Sequence, residues 1–269
     1  MKLWYQSMSR AHAWGGYQAF LAGHLEKIKD PGTEIEAHFL TKLGGVADQY
    51  RYLEYLGAIE VMENVQTAMR RGFDAFLIGN FGDPGLRECK EIANFPVLGL
   101  CETSCHMASM MGANFAFVSL NEKYIPPIVE NVRRYGLQSR LAGVGRMKLD
   151  RLLNMKEGYS DPVVARQICD DFLVAAHRLV DDGAEVVIAA GGVAMALLEK
   201  QGVREVRPGV PILNGVTALV KMGEMAVRTA ALTGGLFTSK RLSYAPPGAD
   251  QIEEIRKYYG DVYPSVVKK

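Results

Sequence analysis

One pattern runs twice through this chain: a glycine, a buried-strand run, a small or amide residue where a helix opens, then a second strand entered through proline. In the first copy Gly72-Phe73-Asp74-Ala75-Phe76-Leu77-Ile78-Gly79 leads to Asn80, and Phe95-Pro96-Val97-Leu98-Gly99-Leu100 follows. In the second, Gly183-Ala184-Glu185-Val186-Val187-Ile188-Ala189-Ala190 leads to Gly191, and Val210-Pro211-Ile212-Leu213-Asn214 follows. Gly72 stands eight residues before Asn80 and Gly183 eight before Gly191, so the two positions occupy equivalent ends of equivalent strands. A duplicated α/β chain faces its copies together, and the groups at the paired strand ends then set the chemistry.

With 269 residues, two repeats of roughly a hundred residues each favour two domains. The expected division is residues 1–103 with 215–269 as a first α/β domain plus a carboxyl-terminal arm, and 104–214 as the second. Hydrophobic residues make up 48% and charged residues 23%, enough apolar material for a real core. A net charge of +1 supplies no field to gather nucleic acid or an anionic membrane. Arg70-Arg71 and Arg133-Arg134 fall near helix ends, where they complement the macrodipole. The longest apolar run, Val186 to Leu198, is broken by glycines and shorter than the ~20 residues of a spanning helix, and no leader-like segment opens the chain. A cytoplasmic protein with a small-molecule substrate is expected, homo-oligomeric and without nucleic-acid or membrane partners. Cys89, Cys101, Cys105 and Cys169 have neither zinc-ribbon nor C-x-x-C spacing and read as free thiols of a reducing compartment. No metal and no cofactor are expected.

Strands are predicted at Lys2 to Gln6, Glu34 to Leu40, Ala75 to Gly79, Val97 to Leu100, Phe115 to Ser119, Gln138 to Gly143, Val186 to Ala190 and Ile212 to Leu213. Most are short apolar runs without polar alternation, as in strands buried on both faces of a parallel sheet. The clearest helix starts at Ser160-Asp161-Pro162, a cap followed by proline in the first turn, and ends before Gly183. Strand and helix alternate throughout. The expected fold is therefore α/β, two similar doubly wound parallel-sheet halves of four strands each, related by a pseudo-two-fold axis, with the site in the cleft between them. The last stretch, from Gly234 onward, reads as an extended arm ending in a short helix and packed on the body or on a neighbouring subunit.

Parallel strands deliver their following loops to one edge. The candidate site is assembled there from Gln6-Ser7-Met8-Ser9, Asn80-Phe81-Gly82, Cys101-Glu102-Thr103-Ser104, Ser119-Leu120-Asn121 and Gly191-Gly192. Several of these segments open a helix whose unpaired N–H groups point at the site, so the edge suits an anion or a polarised carbonyl. Neither a G-x-x-x-x-G-K-[ST] nor a G-x-G-x-x-G loop is present to suit a nucleotide.

Phe81-Gly82-Asp83-Pro84-Gly85-Leu86 after a strand, Pro96-Val97-Leu98-Gly99-Leu100 before Glu102, Ile125-Pro126-Pro127 with Tyr135-Gly136-Leu137, Gly183-Ala184-Glu185, and Ser243-Tyr244-Ala245-Pro246-Pro247 resemble the hydantoin racemase branch of the aspartate/glutamate racemase superfamily. The resemblance runs in order over nearly the whole chain. It implies a mechanism without cofactor or metal, in which one cysteine at each equivalent strand end moves a proton to or from opposite faces of the substrate. Here those positions are Asn80 and Gly191, and neither an amide nor a glycine shuttles protons near neutrality. The family's amino-terminal Asn-Pro-Asn-Thr loop is also altered, to Gln6-Ser7-Met8-Ser9.

Among the remaining groups Glu102 is the first choice as base, with capping of the next helix as its structural alternative. Asn80, Gly191 and Gly192 are expected to cradle an oxyanion. Gln6, Ser9, Phe81, Gly82, Cys101, Thr103, Ser119 and Asn121 are expected to contact substrate. Cys105 reads as a buried structural thiol and His106 as a helix histidine, Asp83 is a further acid/base candidate, and His12, Lys42 and Tyr50 are candidates for the entrance. The expected activity is a cofactor-independent enzyme on a small carboxylate, carbonyl or cyclic amide compound, working without a two-thiol racemisation. A hydrolase or lyase using Glu102 and the Gly191-Gly192 amides is one alternative, and a non-catalytic small-molecule binding protein is the other.

Overall fold

The computed structural model describes residues 1–45, 49–149 and 154–264. β1 (Lys2–Arg10) sends Leu3 and Tyr5 to one side and Trp4 and Met8 to the other, the two-residue alternation of a strand with helices on both faces. It lies between β2 (Glu34–Leu40) and β3 (Ala75–Ile78), and β4 (Val97–Gly99) follows β3, all parallel. The second sheet is ordered β6 (Leu141–Arg146), β5 (Phe115–Ser119), β7 (Val186–Ala190) and β9 (Val210–Leu213), also parallel, with β8 (Glu205–Arg207) antiparallel on its edge. Counted within each copy, both parallel sets run second, first, third, fourth strand.

The duplication extends to the turns. α2 (Arg51–Arg70) precedes β3 and α7 (Pro162–Asp181) precedes β7, and each ends in the same double-bonded turn. Phe73 N–H donates to the Ala68 carbonyl at 3.1 Å and Gly72 N–H to Met69 at 3.2 Å; Ala184 N–H donates to Leu179 at 2.9 Å and Gly183 N–H to Val180 at 3.0 Å. The turn needs a left-handed residue, and Gly72 (φ 71°) and Gly183 (φ 103°) supply it. The next carboxylates do equivalent work: Asp74 accepts the Lys2 N–H at 2.8 Å, and Glu185 accepts the Ala113 N–H at 2.6 Å. Each ties the entry of its strand to that of the neighbouring one.

Around the sheets lie α1 (Gly15–Ile28), α3 (Leu86–Ile92), α4 (Leu100–Met111), α5 (Ile125–Arg134), α6 (Asn154–Glu157), α8 (Gly192–Lys200), α9 (Gly215–Thr233) and α10 (Ala249–Tyr259). α7 starts as its sequence predicts, the Asp161 carboxylate accepting the Val163 N–H at 2.8 Å. The main core joins the inner face of the first sheet to the second sheet through Leu77, Leu100, Phe117, Ile188 and Leu219; a smaller cluster under α2 and α3 holds Trp4, Val61, Val65, Phe76 and Val97. α9 crosses β3 and β4 and packs on α4.

Three expectations shift. Gln138–Arg140 is a 3-10 turn and β6 begins at Leu141. β8 makes the second sheet five-stranded; it is three residues long with charged ends on an edge, too short for alternation to register. Leu100 starts a helix instead of ending a strand, so the boundary drawn at 103/104 falls inside α4. The arm after Gly234 packs on the body: Lys240 Nζ donates to the Lys90 and Glu91 carbonyls at 2.5 and 2.9 Å, and Tyr263 to the Glu91 carboxylate at 2.9 Å.

Candidate active site

β3 and β7 end on one cavity, with about 850 Å³ of empty space including its open mouth, and both Asn80 and Gly191 face it. Asn80 folds back so that its Oδ1 accepts the Gly82 N–H at 2.8 Å. Gly191 precedes α8, whose Gly192 and Val193 line the cavity, so first-turn amides without intrahelical partners meet the site. The strand ends abut closely: a Cβ on Gly192 would stand 3.0 Å from the Gly79 carbonyl oxygen and 3.9 Å from the Tyr17 hydroxyl.

Hydroxyls form one wall. Ser7 and Ser9 share the inward parity of Leu3 and Tyr5 on β1; their Oγ atoms are 3.0 Å apart, and Ser7 Oγ is 3.5 Å from the Tyr17 hydroxyl on α1. Burial pushes Tyr17 up to about 12, against the pull of the Ser7 hydrogen bond, so it stays a protonated donor at neutral pH. Behind it, Tyr159 meets the Tyr17 ring edge-on and donates to the Val193 carbonyl at 2.6 Å. From α2 comes Glu54, the one carboxylate among the described residues that line the cavity. A Cβ on Gly82 would collide with the Glu54 carboxylate and stand 3.1 Å from Asn80 Oδ1, so both side chains converge on that glycine. Met8, Trp14, Phe81, Leu120, Ile128 and Met155 supply the apolar lining.

Of the residues singled out from sequence, the structure gathers Ser9, Asn80, Phe81, Gly82, Gly191 and Gly192 around this cavity. It does not bring Glu102 there. α4 begins at Leu100, so Cys101 and Glu102 sit in a helical first turn, where successive side chains diverge by ~100°. Cys101 turns into the core beside Cys105, sulfurs 3.8 Å apart, and burial pushes its thiol up. Glu102 turns to α3 and is held by Lys90 Nζ at 2.6 and 2.8 Å.

Gln6 is likewise displaced, by parity: it shares the Trp4 face of β1, accepts from Trp4 Nε1 at 3.0 Å and Asn64 Nδ2 at 2.9 Å, and lies under α2. Thr103 is buried and donates to the Gly99 carbonyl at 2.7 Å. Ser119 donates to the Asn121 carbonyl at 2.8 Å, while Asn121 caps the Lys123 N–H at 2.9 Å and donates to Gln49 at 3.2 Å. His12, Lys42, Tyr50, Cys105 and His106 also lie outside the cavity lining; Lys42 pairs with Glu63 at 2.9 Å and His106 borders a neighbouring groove. Glu54 and Tyr17 were not legible: each arrives from a helix, with no motif around it to mark the approach.

The Phe81-Gly82-Asp83-Pro84-Gly85 block has a structural reason. Asp83, buried and left-handed at φ 50°, accepts the Cys101 N–H at 3.0 Å and the Glu102 N–H at 2.8 Å, capping α4 from outside. Gly99 at the cap position leaves the space, since a Cβ there would collide with the Asp83 carboxylate. Tyr135 donates to the same carboxylate at 2.5 Å and Asn131 to the Gly82 carbonyl at 2.8 Å, so α5 of the second half clamps this cavity loop of the first. Burial lifts Asp83 to about 7 against its three donors. Among the described residues no three His, Cys, Asp or Glu side chains stand together as a metal site.

Two like-ordered parallel sheets with paired strand ends on a shared cavity define a class of duplicated α/β proteins. The sequence profile of the Asp/Glu/Hydantoin racemase family matches residues 25–223, and the chain belongs to that family. A hydantoin racemase of Pseudomonas sp. is 30% identical over 199 residues, 74% of this chain and 76% of its own length. The structure of allantoin racemase from Klebsiella pneumoniae aligns at TM-score 0.76 and 26% identity, covering 92% of this chain and 94% of that one. That of allantoin racemase from Pseudomonas fluorescens aligns at TM-score 0.74 and 29% identity, covering 92% and 97%.

Proposed function

We propose that this chain is a cofactor-independent enzyme that transfers a proton at a carbon beside a carbonyl of a small cyclic amide, and that it does so without a pair of thiols. One observation carries the reading: both strand-end positions face the cavity and hold Asn80 and Gly191, while all four cysteines are buried elsewhere. The relatives named for hydantoin and allantoin, both five-membered cyclic ureides, suggest the ligand class. Its ring carbonyls match the α8 amides and the Ser7, Ser9 and Tyr17 hydroxyls, and its ring suits the Trp14, Phe81 and Leu120 surfaces.

A second reading, hydrolysis or lysis, is favoured by the opening of α8 onto the cavity, where amides would stabilise a developing oxyanion. Incubation with hydantoin, 5-methylhydantoin, allantoin and malonate in deuterated water, followed by mass spectrometry, tests both. Enzyme-dependent uptake of carbon-bound deuterium, at the one ring C–H of 5-methylhydantoin or allantoin, with otherwise unchanged composition supports proton transfer. A change of composition supports hydrolysis or decarboxylation instead, and thermal stabilisation by a probe without either change marks a binding protein.

A further inference from the structure

Cofactor-independent proton transfer needs a base to take the carbon-bound proton and an acid to return one, and in the described cavity the strand ends offer neither. Two side chains from other elements stand beside those ends. The Glu54 carboxylate, from the first turn of α2, meets Asn80 at Gly82, the glycine on which both converge. The Tyr17 hydroxyl, from α1, stands at Gly192 on the other strand end and is 3.5 Å from Ser7 Oγ, which is 3.0 Å from Ser9 Oγ. Both residues line the same cavity.

We infer that Glu54 and Tyr17 are the proton-handling groups of this cavity, standing in for absent thiols at Asn80 and Gly191, with a cyclic ureide bearing a ring C–H beside a carbonyl as their substrate. The inference rests on the proposed proton-transfer function. The Glu54 carboxylate takes the ring proton, and the C–H electron pair moves onto the adjacent carbonyl to form an enolate facing the α8 amides. The enolate pair then forms a new C–H bond with the Tyr17 proton, leaving a tyrosinate beside Ser7. The proton on Glu54 returns through water at the cavity mouth to Tyr17, so both groups are restored and nothing is consumed. Glu54 makes exchange possible; Tyr17 makes inversion possible.

Single enantiomers of 5-methylhydantoin and allantoin in deuterated water test this with wild type, Glu54→Gln, Glu54→Asp and Tyr17→Phe. Proton NMR follows loss of the ring C–H, circular dichroism follows inversion, and melting temperature with each probe follows binding and folding. Wild type is expected to exchange and invert at least one probe. Glu54→Gln should slow exchange by about a hundredfold or more while the probe still raises its melting temperature, and Glu54→Asp should recover part of the rate. Tyr17→Phe should keep exchange within a few-fold and lose inversion.

Exchange at the wild-type rate in Glu54→Gln, or full inversion in Tyr17→Phe, overturns this assignment and leaves the proposed function standing. Should Glu54→Gln fail to fold, Glu54→Asp decides: an unchanged rate overturns the assignment. A wild type that binds no probe, or binds without exchange, overturns the proposed function and the assignment together.

Discussion

Asn80 and Gly191 end β3 and β7 on one cavity, eight residues after glycines that close the same turn in each half, and neither brings a titratable group to it. Gly191 has φ 163° and ψ 129°, extended backbone open to any residue, and among the described residues a Cβ there would meet Leu120 at 3.5 Å, an ordinary contact. Asn80→Cys gives up the bond to the Gly82 N–H, worth about 1 kcal/mol. The Asn80→Cys/Gly191→Cys protein is therefore expected to fold within about 2 kcal/mol of wild type and to racemise 5-methylhydantoin faster than wild type, with iodoacetamide removing the added part of the rate. Urea unfolding and circular dichroism check the two parts.

Asp83 is expected to matter for stability in a pH-dependent way. Asp83→Ala leaves the Cys101 and Glu102 N–H groups and the Tyr135 hydroxyl without their acceptor, a loss of about 1–3 kcal/mol in urea unfolding. Burial raises the folded-state carboxyl to about 7 from an ordinary 3.8, so between those values the folded protein holds a proton that the unfolded chain has released. This group therefore favours the fold most below about pH 4, and its contribution is lost as pH rises through 7. The melting temperature of wild type relative to Asp83→Asn should fall from pH 4.5 to 7.5.

Glu102→Gln should cost stability and spare the cavity. Lys90 and Glu102 side chains are 11% and 19% exposed, so removing the carboxylate leaves a largely desolvated ammonium, a loss of about 1–3 kcal/mol after allowance for partial solvation. Thermal stabilisation by hydantoin should persist in this variant, because the pair lies outside the cavity lining.

Gly82→Ala tests the convergence of Glu54 and Asn80. The added methyl would strike the Glu54 carboxylate and crowd Asn80 Oδ1, so hydantoin should stabilise the variant less than wild type while the unliganded melting temperature moves by only a few degrees.

The fold was legible because its signals are local. Glycine, buried run and small residue recur at the same interval, and the Asp161 cap with Pro162 marks α7 within three residues. Asn80 and Gly191 were legible for the same reason: each lies within two residues of the end of its strand. Gln6 could have been placed by parity, since it shares a face with Trp4, whose indole belongs under α2. Glu102 was misplaced because a helix starting at Leu100 instead of one residue later turns its side chain from the sheet edge towards Lys90. Glu54 and Tyr17 could not be found that way. Their positions depend on how α1 and α2 pack across the first sheet, and no spacing in the chain encodes that approach.

Proton transfer in this cleft is expected to be independent of thiols, which one comparison decides. Wild type, with and without exhaustive treatment by N-ethylmaleimide, is mixed with 5-methylhydantoin in deuterated water and the ring C–H signal is followed by proton NMR. Decay at the same rate in both samples is the expected result; decay in the untreated sample that the reagent abolishes contradicts it.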